Sequence, residues 1–322
     1  MTKRILLLTL GIISNFAFSQ LSNKHWLPPL HSRSASDIND HYLYLSTNEL
    51  ISFQVTVTDG SGTAITGSPF TLSSATPVVI DVGFGQPSKM FLNVSDVNIV
   101  VSDKGLILEG TKDFYVSFRV RSENHSETLI SKGKPGIGTS FRLGCMINES
   151  IDYRKSFVSS VMATENNTTI TLSDYNPGVV FVSGMGDFSL PSQTFSLNKG
   201  ESIVFSGYSD NPTNIDGIIG ALISSNKPVA VNTGNALGGI ENNRADFALD
   251  QIVSASQIGK EYIFIEGNGL TSMELPLLVA NEDGTEIYIN GNATPETILN
   301  AGEYYLVDNS YYQGTANKNI YV

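Results

Sequence analysis

The chain has 322 residues, 41% hydrophobic and 16% charged, with 29 Gly and one Cys. That is ample apolar material for a large core or several smaller ones, and it excludes a disordered chain. Its 31 acidic and 19 basic residues give a net charge of −12, so a nucleic acid held through its phosphates would be repelled and is excluded as a partner. The lone Cys145 leaves no disulfide framework within the chain and is expected to be a buried thiol.

In chain order, Lys3 and Arg4, the apolar run over 5–13 and the small residues around Ala17-Phe18-Ser19 read as an export signal over 1–19. The run is far short of the roughly 20 apolar residues that cross a bilayer, and no later segment comes closer, so the mature chain is expected to lack a transmembrane span. Trp26, Leu27 and Leu30, around Pro28-Pro29, read as an ordered lead that packs on the first folded unit. FQVTVTD from Phe53 then alternates Phe53, Val55 and Val57 with Gln54, Thr56 and Thr58, the pattern of a strand buried on one face. GKPGIGTS from Gly133 lacks the lysine that a phosphate loop places before its Thr and reads as a turn. Residues 245–256 are the best helical candidate, but they are short and polar or β-branched, so a loop or a single turn is expected.

Self-similarity is the main signal. ATENNTTITL at Ala163 recurs as ANEDGTEIYI at Ala280, with Asn166-Asn167 and Asp283-Gly284 as dipeptides that tolerate positive φ. FSLNKGESIVF recurs as TILNAGEYYLV, aligning Gly200 with Gly302, and SSNKPVAV recurs as ANKNIYV, aligning Lys227 with Lys318. These turns are expected at hairpin tips, with Gly200 and Gly302 as left-handed bulge residues. GIGTSFRLG pairs with QIGKEYIFIEG, aligning Gly138 with Gly259, and EGTKDFYVSFRV resembles the lysine-led strand, so a diverged first copy is expected over most of 41–135.

The search for chemistry is less productive. His25, His31, His41 and His125 lack the spacing of a zinc set. Asp210, Asn214 and Asp216 precede Gly217 in one loop and offer oxygens for calcium, although the spacing is not that of an EF-hand; a plain solvated loop is the other reading. Glu165 and Glu282 occupy equivalent turns and would form a carboxylate pair only if two units faced each other. No Gly-x-Ser-x-Gly elbow occurs.

The order of the motifs, from ATENNTTITL through LNKGESIVF and SSNKPVAVNTGN to DQIVSASQIGKEYIF, resembles the IgGFc-binding protein N-terminal domain over 103–322, most strongly over 161–288. It also resembles the front halves of large surface proteins of gliding Bacteroidota, which carry a C-terminal sorting domain for type IX secretion. The resemblance implies surface display and adhesion.

The expected fold is all-β, with antiparallel hairpin repeats in tandem β-sandwich-like units; a β-propeller-like assembly is the alternative. The expected divisions are an export signal over 1–19, a lead and diverged unit over 20–135, a second unit over 136–258 and an incomplete third over 259–322. The third copy stops within its lysine-led strand, so covalent continuation into a further C-terminal region is expected. The expected function is a secreted or cell-surface binding module for an extracellular protein or polysaccharide, without a cofactor unless calcium binds. A structural spacer and a carbohydrate-active enzyme are the alternatives.

Overall fold

The computed structural model describes residues 21–33, 38–123, 125–148, 151–241, 244–265, 275–307 and 313–322. The export signal expected over 1–19 lies outside these. Among the described residues no helix is long and apolar enough to cross a membrane.

The chain is all-β and forms three antiparallel sheets. The first contains β1 (Ser22–Leu27), β2 (Ile38–Ser46), β3 (Phe53–Asp59), β4 (Phe70–Leu72), β5 (Val78–Gly83), β6 (Leu106–Ser122) and β7 (His125–Ile130). The second contains β8 (Gly138–Arg142), β9 (Ser156–Ala163), β10 (Thr168–Ser173), β11 (Gln193–Leu197), β12 (Ser202–Tyr208), β13 (Leu222–Glu241) and β14 (Arg244–Ile252). The third contains β15 (Gly259–Ile263), β16 (Leu277–Ala280), β17 (Thr285–Ile289), β18 (Thr297–Leu299), β19 (Tyr304–Leu306) and β20 (Gln313–Tyr321).

One topology recurs. The orders β4-β3-β6-β2-β5, β11-β10-β13-β9-β12 and β18-β17-β20-β16-β19 superimpose strand for strand, with β1, β8 and β15 added to the central strand. β7 and β14 pair with the other end of β6 and β13; among the described residues β20 has no such partner. The long central strand serves two sheet layers, because β1 and β3 flank the first half of β6 while β2 and β7 flank the second. Each sheet thereby curls into a nearly closed, barrel-like sandwich. This is the tandem arrangement expected, and not the radial set of blades of a propeller.

Residue pattern explains the layers. β3 alternates as expected, with Phe53, Val55 and Val57 buried and Gln54 and Thr56 exposed. β9 and β12 are buried along their whole length, since each feeds two cores. Phe157, Val161, Ile203 and Phe205 enter the second unit's core, whereas Val158 and Val204 join the core of the first unit and Met162 packs with Trp26. The next seam repeats the device: Leu278 and Ala280 of β16 face their own core, and Val279 packs into that of the second unit. Burying a valine in this way stabilises by about 2 kcal/mol.

Close backbone contact completes both seams. A Cβ on Gly200 would lie 2.0 Å from the carbonyl oxygen of Gly60, and one on Gly220 would lie 1.7 Å from that of Gly302. Val101 and Ser202 exchange two backbone hydrogen bonds of 2.9 Å across the first seam.

Three sequence expectations need correction. The turns at Asn166-Asn167 and Asp283-Gly284 join β9 to β10 and β16 to β17, strands on opposite sides of the central strand, so they are arches and not hairpin tips. Gly200 and Gly302 likewise link the two outer strands of their sheets. Asn167, Gly284, Gly200 and Gly302 do have positive φ of 55°, 64°, 84° and 84°, so the turn chemistry fixes the local bend but not which strands then pair. The true consecutive hairpins are β3–β4, β10–β11, β17–β18, β6–β7 and β13–β14. Of residues 245–256, expected as a loop or turn, those up to Ile252 belong to β14 because β13 supplies an unfilled edge. The N-terminal lead is itself a strand, β1, with Trp26 opposite Ile107.

Gly200→Val should lower stability by about 3 kcal/mol or more in thermal or denaturant unfolding, because strain at φ 84° adds to the collision with Gly60. Gly62 has φ 86° and open space around it, so Gly62→Ala should cost only about 1 kcal/mol. Equal losses would contradict the close contact.

Candidate functional site

The repeated motifs converge, and what they build is a structural clasp. In the second unit the Asn166 Oδ1 accepts from the Lys199 amide at 3.0 Å, the Glu201 carboxylate accepts from the Asn198 amide at 2.6 Å, and the Gly200 amide donates to Ala163 at 2.8 Å. In the third unit Asp283, Glu303 and Gly302 make the same bonds to Ala301, Asn300 and Ala280 at 3.0, 2.6 and 2.9 Å. Lys227 donates to the Asn166 carbonyl and Lys318 to that of Asp283. Asn226 and Asn317 accept from the Thr169 and Glu286 amides at 2.8 and 2.9 Å. The first unit keeps only part of this clasp, with Thr47 donating to Asp113 as Thr164 donates to Pro228. Glu165 and Glu282 are exposed and lie in separate units, where their backbone carbonyls accept from Thr168 and Thr285.

The metal candidates are placed apart or already engaged. Among the described residues no three His, Cys, Asp or Glu side chains stand close enough to hold an ion. Asn214 is buried, its Oδ1 accepting from the Val180 amide at 2.9 Å and its Nδ2 donating to Val180 and Tyr208 carbonyls at 2.8 and 2.9 Å. Asp216 accepts from the Tyr304 hydroxyl of the third unit at 2.8 Å. Asp210 is exposed. Cys145 is buried, and desolvation pushes its thiol up to about 12, far from thiolate chemistry.

A cleft lies where loops of the first and second units meet. Two adjoining cavities of about 460 and 690 Å³ share Asp187 and Tyr208 as walls. His31, Arg33, Gln86 and Asn93 contribute from the first unit, and Asp187, Tyr208, Asp210 and Asn211 from the second. The Tyr208 ring is buried, and its hydroxyl lies 2.9 Å from His31 Nε2. His31 Nδ1 is 2.9 Å from the Leu92 carbonyl. Nδ1 therefore carries the hydrogen, and Nε2 accepts from Tyr208. Burial lowers the His31 pKa, with the Arg33 charge adding to the effect. Burial also raises the Tyr208 phenol to about 12, with Asp187 and Asp210 adding to the rise and Arg33 opposing it. Gln86 brackets Ser32, accepting from its amide and donating to its carbonyl.

The Arg33 guanidinium carbon lies 4.4 Å from the Tyr208 ring centre and 5.4 Å from that of Tyr153, a cation held over two aromatic faces. Met185, 92% exposed, stands on the loop before Asp187, and Tyr153 is 54% exposed. Exposed aromatic, Met and Arg side chains near carboxylates are the residue types enriched in protein interfaces. The protonated phenol and the buried, already bonded imidazole form no nucleophile and base pair.

A second groove, of about 710 Å³, lies between the second and third units and is mainly apolar, with Cys145, Ile252 and Ile263 in its walls. Its charged groups are engaged within the protein, Arg142 with Asp174 and Gly220, Asp250 with Lys132, and Glu127 with the Leu249 amide. The cleft at the first seam is therefore the better candidate. Of the residues lining it, sequence reading singled out His31, Asp210 and Asn214 but not Arg33, Asp187 or Tyr208, nor Tyr153 beside Arg33. These come from separate loops and from the end of β12, and only the seam brings them together. Tyr208→Phe should leave His31 Nε2 without a donor and lower stability by about 1–2 kcal/mol in equilibrium unfolding; an unchanged midpoint would contradict the bond.

No curated protein and no solved structure matches the chain. A family model described as IgGFc binding protein matches residues 126–322. The matched stretch begins in β7 and takes in the second and third units, with both copies of the clasp. Since it covers well over half of the sequence, the chain belongs to the IgGFc binding protein family.

Proposed function

We propose that the protein is an exported binding module, displayed at a cell surface, that holds an extracellular protein or polysaccharide in the cleft between its first two units. The observation that carries this reading is the cleft itself, where Arg33, stacked on Tyr208, and the free Asp187 come from different units on a rigid seam. Loops fixed by a rigid scaffold are a common way to build recognition. Membership of a family described by binding supports the same reading. Adhesion within a longer protein, of the type exported by gliding Bacteroidota, is the finer form of the proposal and rests on the sequence resemblance.

A spacer role is the second reading, favoured by the two matching glycine contacts, Gly60 with Gly200 and Gly220 with Gly302, which stack the units by the same device. Purified residues 20–322 applied to glycans and extracellular proteins, an antibody constant region among them, with and without calcium, separate the two. Saturable binding that weakens at least tenfold in Arg33→Ala or Asp187→Asn is the expected result. Binding that these variants leave intact would remove the cleft from the account, and no binding by the folded chain would favour the spacer. Calcium dependence would point to Asp210.

A further inference from the structure

We propose that the seam between the first and second units is an acid-sensitive joint: protonation of His25 and His31 at the seam, and of His41 within the core of the first unit, releases the first unit from the second and dismantles the cleft. All four histidines of the chain lie between positions 25 and 125, and the second and third units have none. Three of them, His25, His31 and His41, are 0 to 1% exposed.

His31 and His41 sit where an added proton has no good acceptor, whereas His25 has acceptors on both nitrogens and burial alone opposes its charge. His31 takes the Tyr208 hydrogen bond across the seam on Nε2. Once protonated, that nitrogen becomes a donor, so the bond must reverse, and the new cation faces Arg33 stacked on the same Tyr208. The neighbouring Asp187 is exposed on the far wall of the cavity. His25 Nε2 lies 3.0 Å from the carbonyls of Ser22 and Phe114. Its Nδ1 lies 3.0 Å from Ser131 Oγ, which donates to Gln251 of the second unit at 3.0 Å, and Gln251 donates back to the Trp26 carbonyl at 2.7 Å. Asp113 is the charge that acts on His25. His41 lies against Phe91 and Phe118, with ring centroids 5.0 and 6.1 Å away, and among the described residues neither nitrogen has a hydrogen-bond partner. Asp81 and Asp40 act on it, Asp40 being paired with Arg121.

Burial outweighs the acids and lowers the pKa of His25 and of His41 from 6.5 to about 4. The opened chain therefore binds more protons below pH 6.5, and stability falls as pH drops from 6.5 towards 4. At pH 5 each of these two histidines makes folding about thirtyfold less favourable than at pH 7.5. Glu127 and Asp250, on the same seam, act in the opposite sense, because burial raises their pKa. So does His125, which lies 3.5 Å from Asp246 across the seam and attracts it when charged. Asp59 and Glu109 have lowered pKa values and lose their contribution only as pH falls below the normal carboxylate range, under the histidine window.

The protein carries its own reporter. Trp26 is the sole tryptophan, 5% exposed, and packs with Met162 and Ala230 of the second unit. Its emission in the full chain should shift to the red with a midpoint between pH 6.5 and 4, while the β-type circular dichroism of the other units persists. His31→Gln with His41→Leu should move that midpoint down by about one pH unit or more. In the unaltered protein, as long as the Trp26 emission is unshifted, ring-proton NMR should show His25 and His41 still neutral below pH 6.5 and His31 titrating below its usual range. Emission unchanged from pH 7.5 to 4, a transition that the double variant leaves in place, or buried rings that titrate near 6.5 would each overturn the proposal.

Discussion

The structure depends on strands that are buried on both faces. β9 and β12 send Phe157, Val161, Ile203 and Phe205 into one core and Val158, Val204 and Met162 into the seam with the unit before. A sheet with two apolar faces must be covered twice, and the neighbouring unit is the cover. The glycine contacts follow from this, because interlocking the cores brings the Gly200 turn against Gly60 and the Gly302 turn against Gly220 at distances that admit no side chain. The units are thus better described as one continuous stack than as beads on linkers.

That constraint also assigns the repeated sequence motifs. The Leu-Asn-x-Gly-Glu turn and the Asn-Lys pair would be natural choices for a binding surface if judged by recurrence alone. Their side chains instead hold the arch, the turn and the central strand together, bond for bond, in the second and third units. The cleft is lined instead by residues that do not repeat. Arg33, Tyr153 and Asp187 lie on loops and Tyr208 ends β12, and the seam brings them together.

Much of the fold was legible in the sequence. Alternation in FQVTVTD marked the half-buried β3, and the recurring strings marked strands that correspond between sheets, down to Gly138 and Gly259 opening β8 and β15. Two things were not. The turn dipeptides carry a φ requirement but no information on pairing, so arches were read as hairpins. In the run SFVSSVMA, which forms β9, nothing local says that its second face belongs to another unit. The cleft was hidden for the same reason, since its walls are more than 150 positions apart in sequence, Arg33 beside Tyr208.

Amide hydrogen exchange along β9 tests the continuous stack most directly. With both faces covered and both edges of β9 bonded, the amides of Val158 and Val161 should exchange only through global opening, more slowly than those of the short outer strand β4. Exchange of β9 amides as fast as that of β4 would mean that the seam opens locally, and that the units are separate bodies.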